Sequence, residues 1–322
     1  MARFILRRVV AAVVLLVLVA TATFGLVQAA PGQPIELLAL DPRVGPEFRA
    51  ELIRQYGLDQ PVTVQWARWM TATLRGELGL SFSQKRPVSE LLMEGLGGSA
   101  WLMAGALFVL YIVALPLGIV AGLRPGSRVD RAILVFSQFF WALPGFVLAV
   151  VLLEILGVRL GWFPLGLMQD LDAERMSSMD RLLNRLHHLF LPSLVLGLSS
   201  VGLVIGFVRS GLIGVLASDH VRAARARGLS ESRVLFRHAL PNTLAPVIQH
   251  FGVLMPALLS GALIIEVVFS WPGLGRIGYA AIVERDIPVV LGTTLLSAAV
   301  VIMGSLLADL LHAWIDPRAR DA

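Results

Sequence analysis

Six runs of apolar residues, each about as long as a membrane is thick, dominate this chain. They are roughly Val9–Ala30, Ser99–Gly122, Ala132–Val158, Leu189–Val208, Pro246–Phe269 and Val289–Trp314. A helix needs about 20 apolar residues to cross about 30 Å of hydrocarbon. Inside that layer every backbone N–H and C=O must be paired within the segment, which selects helices. The sequence therefore predicts an all-α integral membrane protein with six transmembrane helices. Composition agrees: 57% of residues are apolar and 15% charged, against about 45–50% and 25% in soluble proteins. The first run follows Arg7 and Arg8 and resembles a secretory leader. It exceeds the 7–15-residue core of such leaders and is read as a retained helix.

Charge sets the expected orientation. With the N-terminus in the cytoplasm, the inside segments 1–8, 123–131, 209–245 and 315–322 carry 14 arginines and five acids. The outside segments 31–98, 159–188 and 270–288 carry 13 basic and 14 acidic residues. Positive charge in short loops marks the cytoplasmic side, so both termini are expected there. The net charge of +5 is spread between apolar runs as a topology signal, and no nucleic-acid partner is expected. Lys85 is the only lysine and follows Gln84, so the Gly-Lys-Ser/Thr step of a phosphate-binding P-loop is missing. With no cysteine, thiolate catalysis and Cys-based metal sites are excluded.

The chain divides into residues 1–30 (N-terminus and first helix), 31–98 (an extracytoplasmic segment) and 99–322 (a five-helix core). In 31–98, Pro31–Pro34 marks a turn, and Pro46–Tyr56 and Pro61–Leu74 read as short helices. Trp66 and Trp69 share a face of the second, which is either an interfacial belt or a docking surface for an outside partner. In 209–245, Ser218 or Asp219 can cap a helix that ends at Gly228. Ser230 caps a second helix, which Leu240-Pro241-Asn242 breaks. Small alanines would let another protein approach this loop closely.

Carboxylates in spans usually face protein or a wet cavity. Glu266 is a candidate for the translocation path or for holding the adjoining Trp271-Pro272-Gly273 loop. Glu154 sits beside Arg159, and Asp309 lies near the inner end of the sixth run. Adjacent His187 and His188 point apart on a helix, so no metal site is expected. Pro116, Pro144, Pro192 and Pro256 interrupt spans and can kink them.

Arg222-Ala223-Ala224, then Gly228, then Leu240-Pro241 resembles the loop motif of ATP-binding-cassette importer permeases. Arg222 stands at the family's glutamate position and His238 at its isoleucine position. Arg3–Arg8, Pro31–Pro34, Gly57–Pro61, Gly79–Phe82, Arg86-Pro87-Val88, Phe269–Arg276, Arg285–Pro288 and Asp316-Pro317-Arg318 resemble the first permease of dipeptide, oligopeptide and nickel importers.

The resemblance implies a type I importer fold in a bacterial inner membrane, forming half of a translocation pore. A second permease, two ATPase subunits holding ATP and Mg, and an extracytoplasmic binding protein would complete it. No catalytic residue or cofactor belongs to this chain. The coupling loop would comprise Asp219, Arg222, Ala223, Ala224, Arg225, Gly228, Leu240 and Pro241, with lipid around the spans. The cargo is a dipeptide, oligopeptide, nickel chelate or glutathione. A self-sufficient secondary transporter lacks support from internal repeats, and the scattered span acids argue against a membrane-embedded transferase.

Overall fold

A computed structural model describes residues 2–30, 47, 54 and 59–315. The expected turn at Pro31–Pro34, nearly all of the Pro46–Tyr56 helix and the Asp316-Pro317-Arg318 end lie outside the described residues.

Helices occupy all six apolar runs. They are α1 (Ala2–Ala29), α3 (Val88–Leu123), the pair α4 (Arg128–Ala142) and α5 (Gly145–Leu152), the pair α6 (Ser178–Ser199) and α7 (Val201–Leu216), α9 (Leu240–Val268) and α11 (Ile287–Ile315). Shorter helices lie between them: α2 (Val62–Leu74), α8 (Asp219–Ala226) and α10 (Leu274–Glu284). α1, α3 and α11 are each long and apolar enough to cross a membrane unbroken, whereas α4 with α5 and its π-helical continuation Leu153–Arg159, and α6 with α7, qualify as bent pairs.

The two bends have different causes. α4 and α5 meet at 97°. Leu143 is extended there, with φ −80° and ψ 120°, because the ring of Pro144 disfavours helical geometry in the residue before it. The 50° bend between α6 and α7 falls at Ser200, not at Pro192, which stays inside α6. Ser199 Oγ donates to the Val195 carbonyl, 2.8 Å away, competing with the helix's own ladder. Pro116 likewise lies inside unbroken α3.

α3 begins at Val88, well before the expected boundary at Ser99. Its 36 residues span about 54 Å, longer than the roughly 30 Å of a hydrocarbon core. Leu102, Ala106, Leu110 and Ala114 recur every four residues along it, each fully buried. Against that stripe pack Leu191 and Val195 of α6, Val201, Val204 and Ile205 of α7, and Leu258, Ala262 and Ile265 of α9. Lipid is as apolar as leucine, so helices there associate through close packing. Small residues let α3 approach closely: a Cβ added at Gly118 would lie 2.7 Å from Val208 Cβ.

α1 lies at the edge, against α11. Its Leu6, Val10, Val13, Val14 and Leu18 are exposed, an apolar face suited to lipid. Arg8 pairs with Asp309 at 3.0 Å, joining the first turns of α1 to the last turns of α11.

Candidate functional site

The loop between α7 and α9 is a compact corner. α7 ends at Leu216 and α8 starts at Asp219. Val221 (0% exposed), Ala224 (5%) and Val234 (0%) form a small core with Val215, Leu216 and Leu229. α8 is thereby packed onto the C-terminal end of α7. Gly228 has φ +76°, as a helix-ending glycine requires, and its N–H donates to the Arg225 carbonyl at 2.9 Å. Just beyond that turn, Arg225 grips Glu231 with two hydrogen bonds, Nε to Oε1 at 2.9 Å and Nη2 to Oε2 at 3.1 Å. The bond to Arg225 holds the Glu231 carboxyl below its ordinary range and raises the guanidinium. The clasp is therefore intact at neutral pH and is lost in acid, as pH falls through the lowered carboxylate value.

Several expected details differ. Ala224 does not face outward: it is buried in the corner's own core, while Ala223, Ala226 and Arg222 are exposed. The helical period puts 221 and 224 on one face and 222, 223 and 226 on others. Arg225 is committed to Glu231, and Arg222 bonds to Asp219 one turn away. Ser218 occupies the N-cap position of α8 without capping it; its hydroxyl donates to the Val215 carbonyl. Ser230 likewise makes no side-chain cap.

Pro241 does not break the second loop helix. The turn Glu231–Arg233 widens to π-helical Val234–Ala239 and flows into α9. Pro241 sits in the first turn of α9, where a missing N–H is tolerated. Leu240 is buried with Leu212 and Ala239.

Glu266 forms a latch, and it also borders a cavity between α1, α9 and α11. It is 1% exposed, and its carboxylate accepts from Ser99 Oγ at 2.6 Å, Gly275 N–H at 2.7 Å and Arg276 N–H at 3.1 Å. Ser99 Oγ in turn accepts from Leu274 N–H at 2.9 Å. Three open donors at the start of α10 are thus satisfied from α3 and α9, where a carboxylate also meets the positive helix end. Trp271 Nε1 donates to the Gly98 carbonyl at 2.8 Å, completing the junction. These bonds hold the Trp271-Pro272-Gly273 loop.

A second buried carboxylate lies just past α10. Asp286 Oδ2 accepts from Ser81 Oγ (2.5 Å), Ser83 N–H (2.9 Å) and Ser83 Oγ (2.8 Å). It ties the turn 79–87 to the last interhelical loop. Sequence reasoning missed Ser81, Ser83, Ser99 and Asp286 in these roles, since each bond joins residues far apart in the chain.

Trp66 and Trp69 are half-buried. Trp69 stacks on Phe24 of α1 at 5.5 Å between centroids, and Gln28 of α1 donates to Gln65 at 2.9 Å. Trp69 and Gln65 thereby tie α2 to α1. His187 bonds the Trp162 carbonyl, while His188 bonds the Gly166 carbonyl and Asp170, so the two rings diverge. Glu154 pairs with Arg159 at 3.0 Å, as their proximity suggested.

Residues 114–321 match the family model described as binding-protein-dependent transport system inner membrane component, and residues 1–100 match the model for the N-terminal part of such membrane components. The chain is 37% identical to the oligopeptide transport system permease protein AppB of Bacillus subtilis, over 99% of each chain. It is 33% identical to the di/tripeptide transport system permease protein DppB of Pseudomonas aeruginosa, over 92% of this chain and 93% of that one. It is also 33% identical to the glutathione transport system permease protein GsiC of Salmonella paratyphi A, over 99% of each. Among solved structures, an inward-facing MetNI methionine ABC transporter chain is similar in fold. Its TM-score is 0.56 at 18% identity, over 70% of this chain and 96% of that one.

Proposed function

The chain belongs to the binding-protein-dependent transport system inner membrane components, as a permease subunit of an ATP-binding-cassette importer, and we propose that its cargo is a short peptide. The three relatives above are named for oligopeptides, di- and tripeptides, and glutathione, and they match over nearly the whole chain. In this reading a second, related permease supplies the other half of the pathway. An extracytoplasmic binding protein delivers the peptide, and two separate ATPase subunits bind beneath in a bacterial inner membrane. Hydrolysis belongs to those partners, consistent with the missing P-loop step.

Each of the six apolar runs is a span in this reading, with both termini in the cytoplasm. Supporting it, segments assigned by charge to one side touch one another: Asp130 meets Arg209 inside, and Ser81 and Ser83 meet Asp286 outside. The region 31–98 then forms an outer cap. With Trp69 turned toward α1, docking of the binding protein falls to the exposed side of α2, which carries Val64, Arg68 and Thr71.

The observation that carries the reading is the α7–α8 corner. A short helix packed rigidly on the end of a span, with Ala223, Ala226 and Arg222 exposed, suits a lever for a partner beneath the membrane. The chain should be co-expressed with candidate companion permease and ATPase subunits from the same organism. The ATPases are expected to co-purify, and uptake of labelled trialanine into vesicles to require ATP. Uptake by this chain alone, driven by an ion gradient, would support the secondary-transporter reading and reject this one.

A further inference from the structure

A second charged contact lies above the lever. Asp130, in the first turn of α4, is 1% exposed. Its carboxylate accepts two hydrogen bonds from Arg209 of α7, Nε to Oδ1 at 2.6 Å and Nη2 to Oδ2 at 2.8 Å. The Gly126 N–H donates a third to Oδ2, at 2.7 Å. Ser127 caps α4 by accepting from the Asp130 N–H at 3.1 Å, so backbone and side chain are both held. On its other side α7 is pressed against α3. A Cβ added at Gly122 would lie 3.0 Å from Leu212 Cβ and 3.2 Å from the Arg209 carbonyl oxygen.

We propose that the Asp130–Arg209 pair is a positioning link in coupling, which makes α4 and the α3–α4 turn follow the α7–α8 corner. This rests on reading the corner as the ATPase-facing lever. A fork-shaped guanidinium bound to both carboxylate oxygens resists rotation as well as separation. Asp130 is buried although Arg209 is a quarter exposed, so parting the pair would leave a buried carboxylate without its cation. Motion entering α8 passes through the Val215–Leu216 contact into α7. The ion pair then carries it to α4, whose far end is the Pro144 corner. Single contacts between exposed side chains, such as Arg222 with Asp219, have no comparable rigidity.

The test uses distances, because a merely structural role would not change how they respond to nucleotide. The chain has no cysteine, so spin labels can be placed on introduced cysteines in the assembled transporter. One pair is Ala217 with Val129, across the link; the other is Ala217 with Gln84, across the molecule. Distances are compared without nucleotide and with ATP trapped by vanadate. In the parent, the Ala217–Gln84 distance is expected to shift while Ala217–Val129 stays fixed. In Arg209→Lys, which keeps the charge and loses the fork, Ala217–Val129 is expected to shift and broaden with ATPase recruitment unchanged. Asp130→Asn is read in the same way if the lysine variant does not accumulate. A parent in which α8 moves relative to α4, or a variant that keeps the fixed distance, overturns the link. So does failure of both variants to insert, which would make the pair a folding contact. A parent that recruits no ATPase overturns the reading of the corner itself, and the link with it.

Discussion

Gly228 ends α8 at φ +76°, and a Cβ placed on it would meet nothing within 4 Å. Any penalty for a side chain there is consequently one of backbone conformation. A non-glycine residue in the left-handed region costs about 1–2 kcal/mol, and a β-branched one fits it worst. That energy corresponds to roughly a 5- to 30-fold change in population. Gly228→Val is expected to insert normally, yet to recover less ATPase on purification or to lower uptake per ATP hydrolysed. Wild-type values for both would remove Gly228 from the lever. Glu266 is different in kind, since its two oxygens hold one hydroxyl and two backbone donors. Gln at this position keeps the shape but presents an amide N–H₂ to groups that need an acceptor. Leaving a buried donor unsatisfied costs about 1–3 kcal/mol. Glu266→Gln is therefore expected to unfold at lower temperature in detergent, and unchanged stability with altered peptide selectivity would return it to the translocation path. At this scale the sequence marks Glu266 as a buried carboxylate, because a charge inside an apolar run must find partners. It does not mark Ser99, which is 167 positions away.

At the scale of elements, what is legible depends on whether the cause is local. Pro144 breaks α4 from α5 because its ring acts on its neighbour, so that corner can be read from the residue type. Pro192 and Pro116 carry the same signal, yet both sit within continuous helices, Pro192 buried and Pro116 exposed. The bend at Ser200 has a weaker local cause, a serine hydroxyl competing for a carbonyl. Pro241 misleads for another reason: the π-helical turn before α9 absorbs it in a first turn that lacks nothing. The alanines of α8 offer the sharpest test. Ala224 shares the corner's core with Val221 and Val234, and Ala223 is exposed. Ala224→Glu puts a carboxylate among apolar side chains without a partner. It is expected to loosen the corner, seen as faster amide exchange in residues 219–234. Ala223→Glu is expected to leave that exchange unchanged while reducing ATPase recovery. Equal exchange in the two variants would contradict the burial pattern; full ATPase recovery with Ala223→Glu would exclude that face from the contact.

For the whole molecule, the class is the most legible property, because six long apolar runs leave few alternatives in a chain of this composition. The assembly of the runs is less so, since lipid supplies no contrast of hydrophobicity to show which helix faces which. Packing instead follows small residues such as Gly118 and Gly122 and a few buried polar joints. Those joints have a consequence for topology. Ser81 and Ser83 bind Asp286, and Arg8 binds Asp309, so the turn 79–87 shares a side with the α10–α11 loop. The N-terminus likewise shares one with the end of α11. Charge assigns the first side to the outside and the second to the cytoplasm. Labelling single introduced cysteines with an impermeant thiol reagent tests both together. Ser83 is a poor outer site because a cysteine there loses the hydroxyl bond to Asp286, whereas the side chain of Gln84, equally exposed, can be replaced without that loss. A cysteine at Gln84 is expected to react in intact cells, and one at Ser232, exposed on the lever's corner, only after the membrane is opened. Reaction at Ser232 with none at Gln84 would invert the molecule. It would place the arginine-rich corner where no ATPase could reach it, and the peptide-importer reading would fall with the topology.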